Sequence, residues 1–75
     1  MKSRKAPHPR AKIERNINIF VLHEFFNEPD SLLAKRYGIG KAGVHNIIYA
    51  IGYQMWKQNE TYQDLVMEAI KNHSI

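Results

Sequence analysis

Cysteine is absent from this 75-residue sequence, which excludes disulfide bonds and thiolate metal sites. No apolar run approaches the roughly 18 residues that a membrane span needs. The basic residues near the N-terminus are followed by no apolar stretch, so we expect no secretory signal. By elimination we expect a cytoplasmic location, either in a nucleoid or in the cytoplasm of a host cell, and no membrane partner.

Residue patterns that carry catalysis or bind metals are also missing. No two histidines lie at helical pairing distance or at a zinc-binding spacing. No serine or threonine has a base at a spacing that would indicate a catalytic nucleophile, and the sequence has no glycine-rich loop that could bind phosphate. A chain of this length buries only about 60–65% of the surface of its unfolded form, which leaves little room for a deep cavity. We therefore expect no enzyme, no cofactor, no metal and no small-molecule substrate.

Positive charge is concentrated at the start of a chain whose net charge is +4. Residues 1–12 contain five basic residues and no acidic one, whereas residues 13–75 contain six basic and seven acidic residues. Pro7 and Pro9 disfavour helix here, which predicts a flexible basic arm over residues 1–12. Such an arm binds nucleic acid by releasing counterions from phosphates, unless it serves only solubility. Its candidate DNA contacts are Arg4, Lys5, Arg10 and Lys12.

Apolar residues recur at helical spacing over the rest of the chain, which forms one domain over residues 13–75. The first segment shows this spacing in Ile13, Ile17, Phe20, Val21 and Phe25. The pattern predicts helices over residues of about 13–27, 31–37, 41–52 and 61–72. No useful segment alternates with a period of two, so the sequence predicts an all-α fold.

Capping and turn residues mark the ends of the first three predicted helices. Pro29 stops the first helix, and either Asp30 or Ser31 caps the second. Gly38 ends the second helix, because the chain needs a positive φ there. Gly40 then caps the third helix.

Two further helix ends are marked less sharply. The third helix either ends at Gly52 or continues, because Met55 and Trp56 extend its apolar period. Thr61 with Asp64 three residues later resembles a capping box, which predicts the start of the last helix there.

The segment from Asp30 to Ile51 has the residue spacing of a helix-turn-helix. A small residue, Ala34, lies where the two helices cross, and Gly38 follows four residues later in the turn. Val44 then packs an aliphatic side chain back onto the first helix, and Ile47 continues that seam. The alternative is an ordinary helical hairpin in which the glycine is not part of a DNA-binding motif. Under the helix-turn-helix interpretation, the residues of the third helix that point outward are Lys41, Ala42, His45, Asn46 and Tyr49.

These outward residues suit the major groove of double-stranded DNA. Asn46 can pair bidentately with adenine, and Lys41 can reach a guanine acceptor or a phosphate. His45 and Tyr49 can donate to bases or phosphates, and Ala42 can contact a thymine methyl group. All five are therefore candidate DNA-binding residues.

The stretch Leu33-Ala34-Lys35-Arg36-Tyr37-Gly38-Ile39-Gly40 resembles the helix-turn-helix in the DNA-binding domains of resolvase/invertase-type serine recombinases. Pro9-Arg10-Ala11 and Pro29 lie at distances similar to those in that family, so the resemblance covers about residues 9–52. Small Mor-like phage regulators share much of the pattern. The resemblance implies a homeodomain-like three-helix bundle, here followed by a C-terminal helix, with Arg10 and its neighbours in the minor groove.

Two departures limit what the resemblance implies. The recombinase catalytic domain is absent, so no recombination chemistry is expected. Gly40 stands where many such motifs have serine or threonine, which removes one expected phosphate contact.

Together these patterns predict a sequence-specific DNA-binding protein, a transcriptional regulator of phage or mobile-element type. One alternative is a DNA-architectural factor for recombination or packaging. The other is an adaptor or inhibitor that binds a protein. Trp56 and Tyr62 belong to an aromatic group that either completes the core or joins two copies, and we expect a homodimer, at least on DNA.

Overall fold

Four helices make up the part of the chain that the computed structural model describes, residues 9–74, with side chains described for residues 12–74. The helices are α1 (Pro9–Phe26), α2 (Asp30–Tyr37), α3 (Lys41–Trp56) and α4 (Glu60–His73). No strand occurs in this range, which confirms the all-α prediction. None of the described helices is both long and apolar enough to cross a bilayer.

The first helix begins earlier than the sequence pattern predicts. Residues 9–12 are helical, so the prediction of an irregular arm up to residue 12 is wrong for these four residues. Proline lacks a backbone N–H and has a fixed φ, and both properties suit the first position of a helix. Pro9 therefore starts α1 instead of preventing it. Arg10 and Lys12 lie within this helix.

The connection between α1 and α2 uses different capping residues from those predicted. Asn27 adopts a left-handed φ of 58° after the end of α1, and the N–H of Glu28 donates to the carbonyl of Leu22 at 3.0 Å. This bond holds the residues that follow α1 against the end of the helix. Pro29 is the N-cap of α2. The predicted caps are therefore wrong, because Asp30 and Ser31 already lie inside the helix.

The third helix continues through Gly52 to Trp56, so the prediction that ends it at residue 52 is wrong and the longer alternative holds. The break that follows is closed by Asn59 rather than by the predicted capping box. The side chain of Asn59 accepts a hydrogen bond from the N–H of Tyr62 at 3.3 Å, and α4 starts at Glu60. Asparagine is among the most favourable residues at this position.

Two groups of buried residues form the core. The first joins α1, α3 and α4, and the second joins α1, α2 and α3. Ile47 and Ile48 border both groups. The first group consists of Ile17, Phe20, Val21, Ile51, Val66 and Ala69. The second group consists of Ile19, Leu22, Leu33 and Val44.

Helix α1 is buried on two sides, which its apolar spacing did not predict. Ile17 and Val21 face the first group, whereas Ile19 and Leu22 face the second. The expected stripe is only partly correct, because Phe25 is half exposed. A helix packed between neighbours on both sides loses the clear apolar stripe of a surface helix.

We predict opposite effects on stability for two glycine-to-alanine substitutions. Gly38 has a φ of 68°, where an alanine is strained although nothing lies within 4 Å of the added Cβ. Gly38→Ala should therefore lower the free energy of unfolding by about 1–2 kcal/mol. Gly43 lies inside α3, where a Cβ would meet Ile39 at an ordinary 3.7 Å. Gly43→Ala should raise the free energy of unfolding by about 0.5–1 kcal/mol, because alanine favours a helix more than glycine does.

Urea denaturation of the two variants beside the parent protein measures both effects. The pair provides its own control, since each variant adds a single methyl group. If both variants changed the free energy of unfolding by the same amount in the same direction, the left-handed turn at Gly38 would be contradicted.

Candidate nucleic-acid interface

A three-residue turn fixes α3 relative to α2. Gly38 adopts the left-handed conformation, and the N–H of Ile39 donates to the carbonyl of Ala34 at 3.0 Å. Leu33 and Val44, one from each helix, are completely buried in the second core group. Ala34 and Ile39 pack against the same group. The turn and this seam together determine which face of α3 points away from the protein.

The outer face of α3, defined as Lys41, Ala42, His45, Asn46 and Tyr49, is exposed at every position. Helical geometry places these residues side by side on the surface opposite Val44 and Ile51, which are buried. Helix α3 contains no acidic residue. The outer face therefore contains one lysine, and α3 contributes no carboxylate to it.

The N-terminus of α3 lies at the edge of this face and has no side-chain cap. Gly40 is the N-cap in an extended conformation, and no side chain of the described residues caps the first turn of the helix. The N–H groups of a first turn carry the positive end of the helix dipole and can bind phosphate. The same glycine removes the hydroxyl that serine or threonine would offer a phosphate at this position.

The structure describes only some of the candidate DNA-binding residues near the N-terminus. Lys12 is exposed on α1. Arg10 lies in the first turn of α1, but its side chain is outside the described part. Arg4 and Lys5 fall outside the described residues altogether. Two other basic residues already have partners: Arg36 pairs with Glu28 at 3.1 Å, and Arg15 donates to Asn16 at 2.9 Å.

A cluster of two histidines and two carboxylates lies beside the outer face. The Nε2 atom of His45 donates to one oxygen of Asp30, and the Nε2 atom of His23 lies 2.8 Å from the other. The Nδ1 atom of His23 is in turn 2.8 Å from Glu24. The carboxylate of Asp30 thus connects α1, α2 and α3 through side chains. His45 is held by this contact and is not free on the surface.

The electrostatics of this cluster favour a charged Asp30. The hydrogen bond from His45 lowers the pKa of the Asp30 carboxyl below its ordinary value, and the charges of His45 and His23 act in the same direction. Partial burial opposes these effects without overcoming them. Sequence reasoning missed the cluster, because its histidines are 7 and 15 residues from Asp30 and no local spacing connects them.

The cluster does not amount to a metal site. Within the described residues, no group of three or more histidine, aspartate or glutamate side chains is arranged to hold a metal ion. The carboxylates are engaged by the histidines themselves, which is the arrangement of a structural ion-pair network.

Beyond Tyr49 the exposed side of α3 becomes aromatic. Tyr53 and Trp56 stack with ring centroids 5.9 Å apart, and the Nζ of Lys57 lies 5.4 Å from the Tyr53 ring centroid. A shallow cleft runs beside them between α1 and α3, lined by Phe20, Glu24, Ile48, Tyr49, Gly52, Tyr53 and Trp56. The two aromatic residues for which the sequence left both roles open therefore differ: Tyr62 packs on the core, whereas Trp56 remains at the surface beside Tyr53.

Comparison of the chain with protein-family models, with curated proteins and with solved structures gives no match. What this surface does is therefore inferred from its own residues.

We predict that Asp30 makes the stability of the protein sensitive to acid. Because the pKa of Asp30 is lowered by folding, its carboxylate stabilises the fold above its unfolded-state pKa. That stabilisation is lost as the pH falls below about 4 and through the folded-state pKa. The free energy of unfolding should therefore fall more steeply with acidification in the parent protein than in Asp30→Asn.

Urea denaturation at a series of pH values between neutrality and pH of about 2 measures the difference. Asp64→Asn is the matched control, because Asp64 is exposed on α4. In Asp64→Asn the free energy of unfolding should fall with acidification as steeply as in the parent protein. Parallel curves for the parent and Asp30→Asn would show that the histidine contacts do not hold in solution.

Proposed function

We propose that the chain is a helix-turn-helix protein that binds double-stranded DNA sequence-specifically and regulates transcription, in the manner of phage or mobile-element regulators. In this proposal α2, the turn at Gly38 and α3 form the helix-turn-helix, and α1 completes a homeodomain-like unit. The protein acts where the DNA lies, in the cytoplasm or nucleoid.

The observation that carries the proposal is the outer face of α3. Its residues are exposed, lie on one side of a helix that is packed on the second core group and include no carboxylate, and the neighbouring carboxylate of Asp30 is paired with His45 and His23. A helix of 16 residues is about 24 Å long, which is enough to cross a major groove about 12 Å wide. These properties suit a surface that approaches a polyanion closely.

Each residue of the face has a role that follows from its chemistry. Asn46 contacts adenine through two hydrogen bonds, and Lys41 binds a guanine acceptor or a phosphate near the N-terminus of α3. Ala42 offers a methyl contact with thymine and allows close approach. We assign base discrimination first to Asn46, because the Nε2 of His45 is already engaged by Asp30. Tyr49 lies at the far end of the face, where its hydroxyl, rather than its ring, can donate to a phosphate of the DNA backbone.

The basic residues near the N-terminus add affinity without sequence preference. Lys12 is exposed on α1, and Arg4 and Lys5 precede the described residues. Contacts of such residues with phosphates or the minor groove release counterions, so each one steepens the dependence of binding on salt.

Fluorescence anisotropy with random duplex DNA at two salt concentrations tests DNA binding itself. We expect binding that weakens strongly as salt rises, with a slope that reports the number of phosphates bound. Replacing Arg4 and Lys5 by alanine should weaken binding to every sequence and reduce the slope by about 1 for each phosphate that is no longer neutralised. An absence of binding at low salt would refute the proposed function.

Two substitutions on the outer face separate base contact from phosphate contact. After selection of the preferred site, Asn46→Ala should cost about 1–3 kcal/mol of binding free energy and relax the preference at one base pair. Lys41→Ala should weaken binding to all sequences alike if Lys41 contacts a phosphate. Lys71→Ala is the matched control, because Lys71 is an exposed lysine in the last turn of α4. If Lys71→Ala weakens binding as much as Lys41→Ala, α3 is not the contacting helix.

A further inference from the structure

Four exposed aromatic rings lie in or beside the cleft between α1 and α3, beginning at Tyr49, the last residue of the outer face. We define the aromatic patch as Phe25, Tyr49, Tyr53 and Trp56, which are 52%, 79%, 50% and 77% exposed. Phe25 joins the patch through an edge contact with Phe20, whose ring lines the cleft. Gly52 lies in the cleft and leaves it without a side chain at that point. The largest exposed apolar patch of a monomer, typically a few hundred Å², often has a function.

The chemistry of the cleft does not suit DNA. Its one charged lining residue is Glu24, whose carboxylate would repel a phosphate. The ammonium of Lys57, just beyond the cleft, lies over the Tyr53 ring. An apolar cleft with one carboxylate and a neighbouring ammonium is better matched to a protein surface of the same kind.

We propose that the aromatic patch is the interface through which two copies of this chain form a twofold-symmetric dimer. In such an interface the same surface serves both copies, so each must offer both a cleft and a group that fills one. Here each copy has the cleft above Gly52 and, at its rim, the exposed indole of Trp56. This surface is therefore complementary to itself.

The area of the patch just reaches what a weak, specific dimer needs. An aromatic side chain contributes about 200 Å², so the exposed parts of the four rings amount to roughly 500 Å² in each copy. Complete burial of the patch in both copies would remove roughly 1,000 Å² in total, which is the lower limit for a specific interface. A dimer of this size is weak, and its formation depends on protein concentration.

The charges at the patch allow the same pairing. Lys57 directly follows Trp56, and Glu24, one oxygen of which contacts His23, lines the cleft. When Trp56 of one copy enters the cleft of the other, its neighbouring lysine approaches Glu24 of that second copy. Twofold symmetry produces this ion pair twice. The two ion pairs determine the relative orientation of the copies more than they add affinity.

The first test is sedimentation equilibrium of the full chain from low micromolar to millimolar concentration, without DNA. We expect a reversible monomer–dimer equilibrium. Trp56 is the only tryptophan in the sequence, so its emission should shift to shorter wavelength over the same concentration range as it becomes buried. Trp56→Ala should raise the dissociation constant at least about tenfold. Met67→Ala is the matched control, because Met67 is 66% exposed on α4, and it should leave the constant unchanged.

A charge exchange tests the geometry independently of the aromatic residues. Glu24→Lys or Lys57→Glu alone places like charges opposite each other and should weaken the dimer. The double variant restores both pairs and should regain most of the lost association. All three variants change exposed residues, but Glu24→Lys, alone or in the double variant, also removes the contact of Glu24 with His23. The denaturation midpoint of each variant is therefore measured as the check on its fold.

The outcomes separate this proposal from DNA binding. A chain that stays monomeric at every concentration, or a dimer that persists unchanged in Trp56→Ala, would overturn the interface. A double charge variant as weak as either single variant would overturn the proposed pairing. Because no DNA is present, these results stand whether or not the anisotropy titration detects DNA binding.

Discussion

The burial of α1 on two sides is the constraint on which the rest of the structure depends. Ile19 and Leu22 hold α2 and α3 on one side, and Ile17 and Val21 hold α3 and α4 on the other. Within the described residues α2 and α4 do not contact each other, so α1 and α3 alone connect the two ends of the molecule. In a chain this short, that shared packing provides most of the apolar burial that stabilises the fold. It also fixes the rotation of α3 about its axis, and with it the residues that α3 exposes.

Local features of the fold were predictable from the sequence, whereas features that depend on distant partners were not. The spacing of Ala34, Gly38 and Val44 predicts the α2–α3 packing, because the steric requirements of the turn act over a few residues. The same spacing predicts which residues of α3 face outward. The apolar pattern of α1 was misleading at Phe25, because a helix with neighbours on two sides has no single apolar stripe. The contact of Asp30 with His45 connects residues 15 positions apart, so no sequence period reveals it.

Capping residues illustrate the same limit at a finer scale. Asp30 is among the best residues for a helix N-cap, yet it lies inside α2 and its carboxylate pairs with His23 and His45. Pro29 takes the capping position, and its carbonyl accepts from the N–H groups of Leu32 and Leu33 at 3.1 Å. The intrinsic preference of aspartate for the cap is worth about 1 kcal/mol, which charge-assisted bonds to two histidines can outweigh.

The division of α3 into a polar half and an aromatic half connects the two proposals physically. A single helix-turn-helix unit buries only about 600–1,000 Å² on DNA, and few of its side chains reach base edges. A second copy doubles those contacts, and DNA holding two copies on adjacent half-sites raises their effective concentration for each other. Under the two proposals a weak interface is sufficient, because the DNA would itself bring the two copies together. Tyr49 lies where the two halves meet, so the polar half can enter a groove while the half around Trp56 extends beyond it towards the second copy.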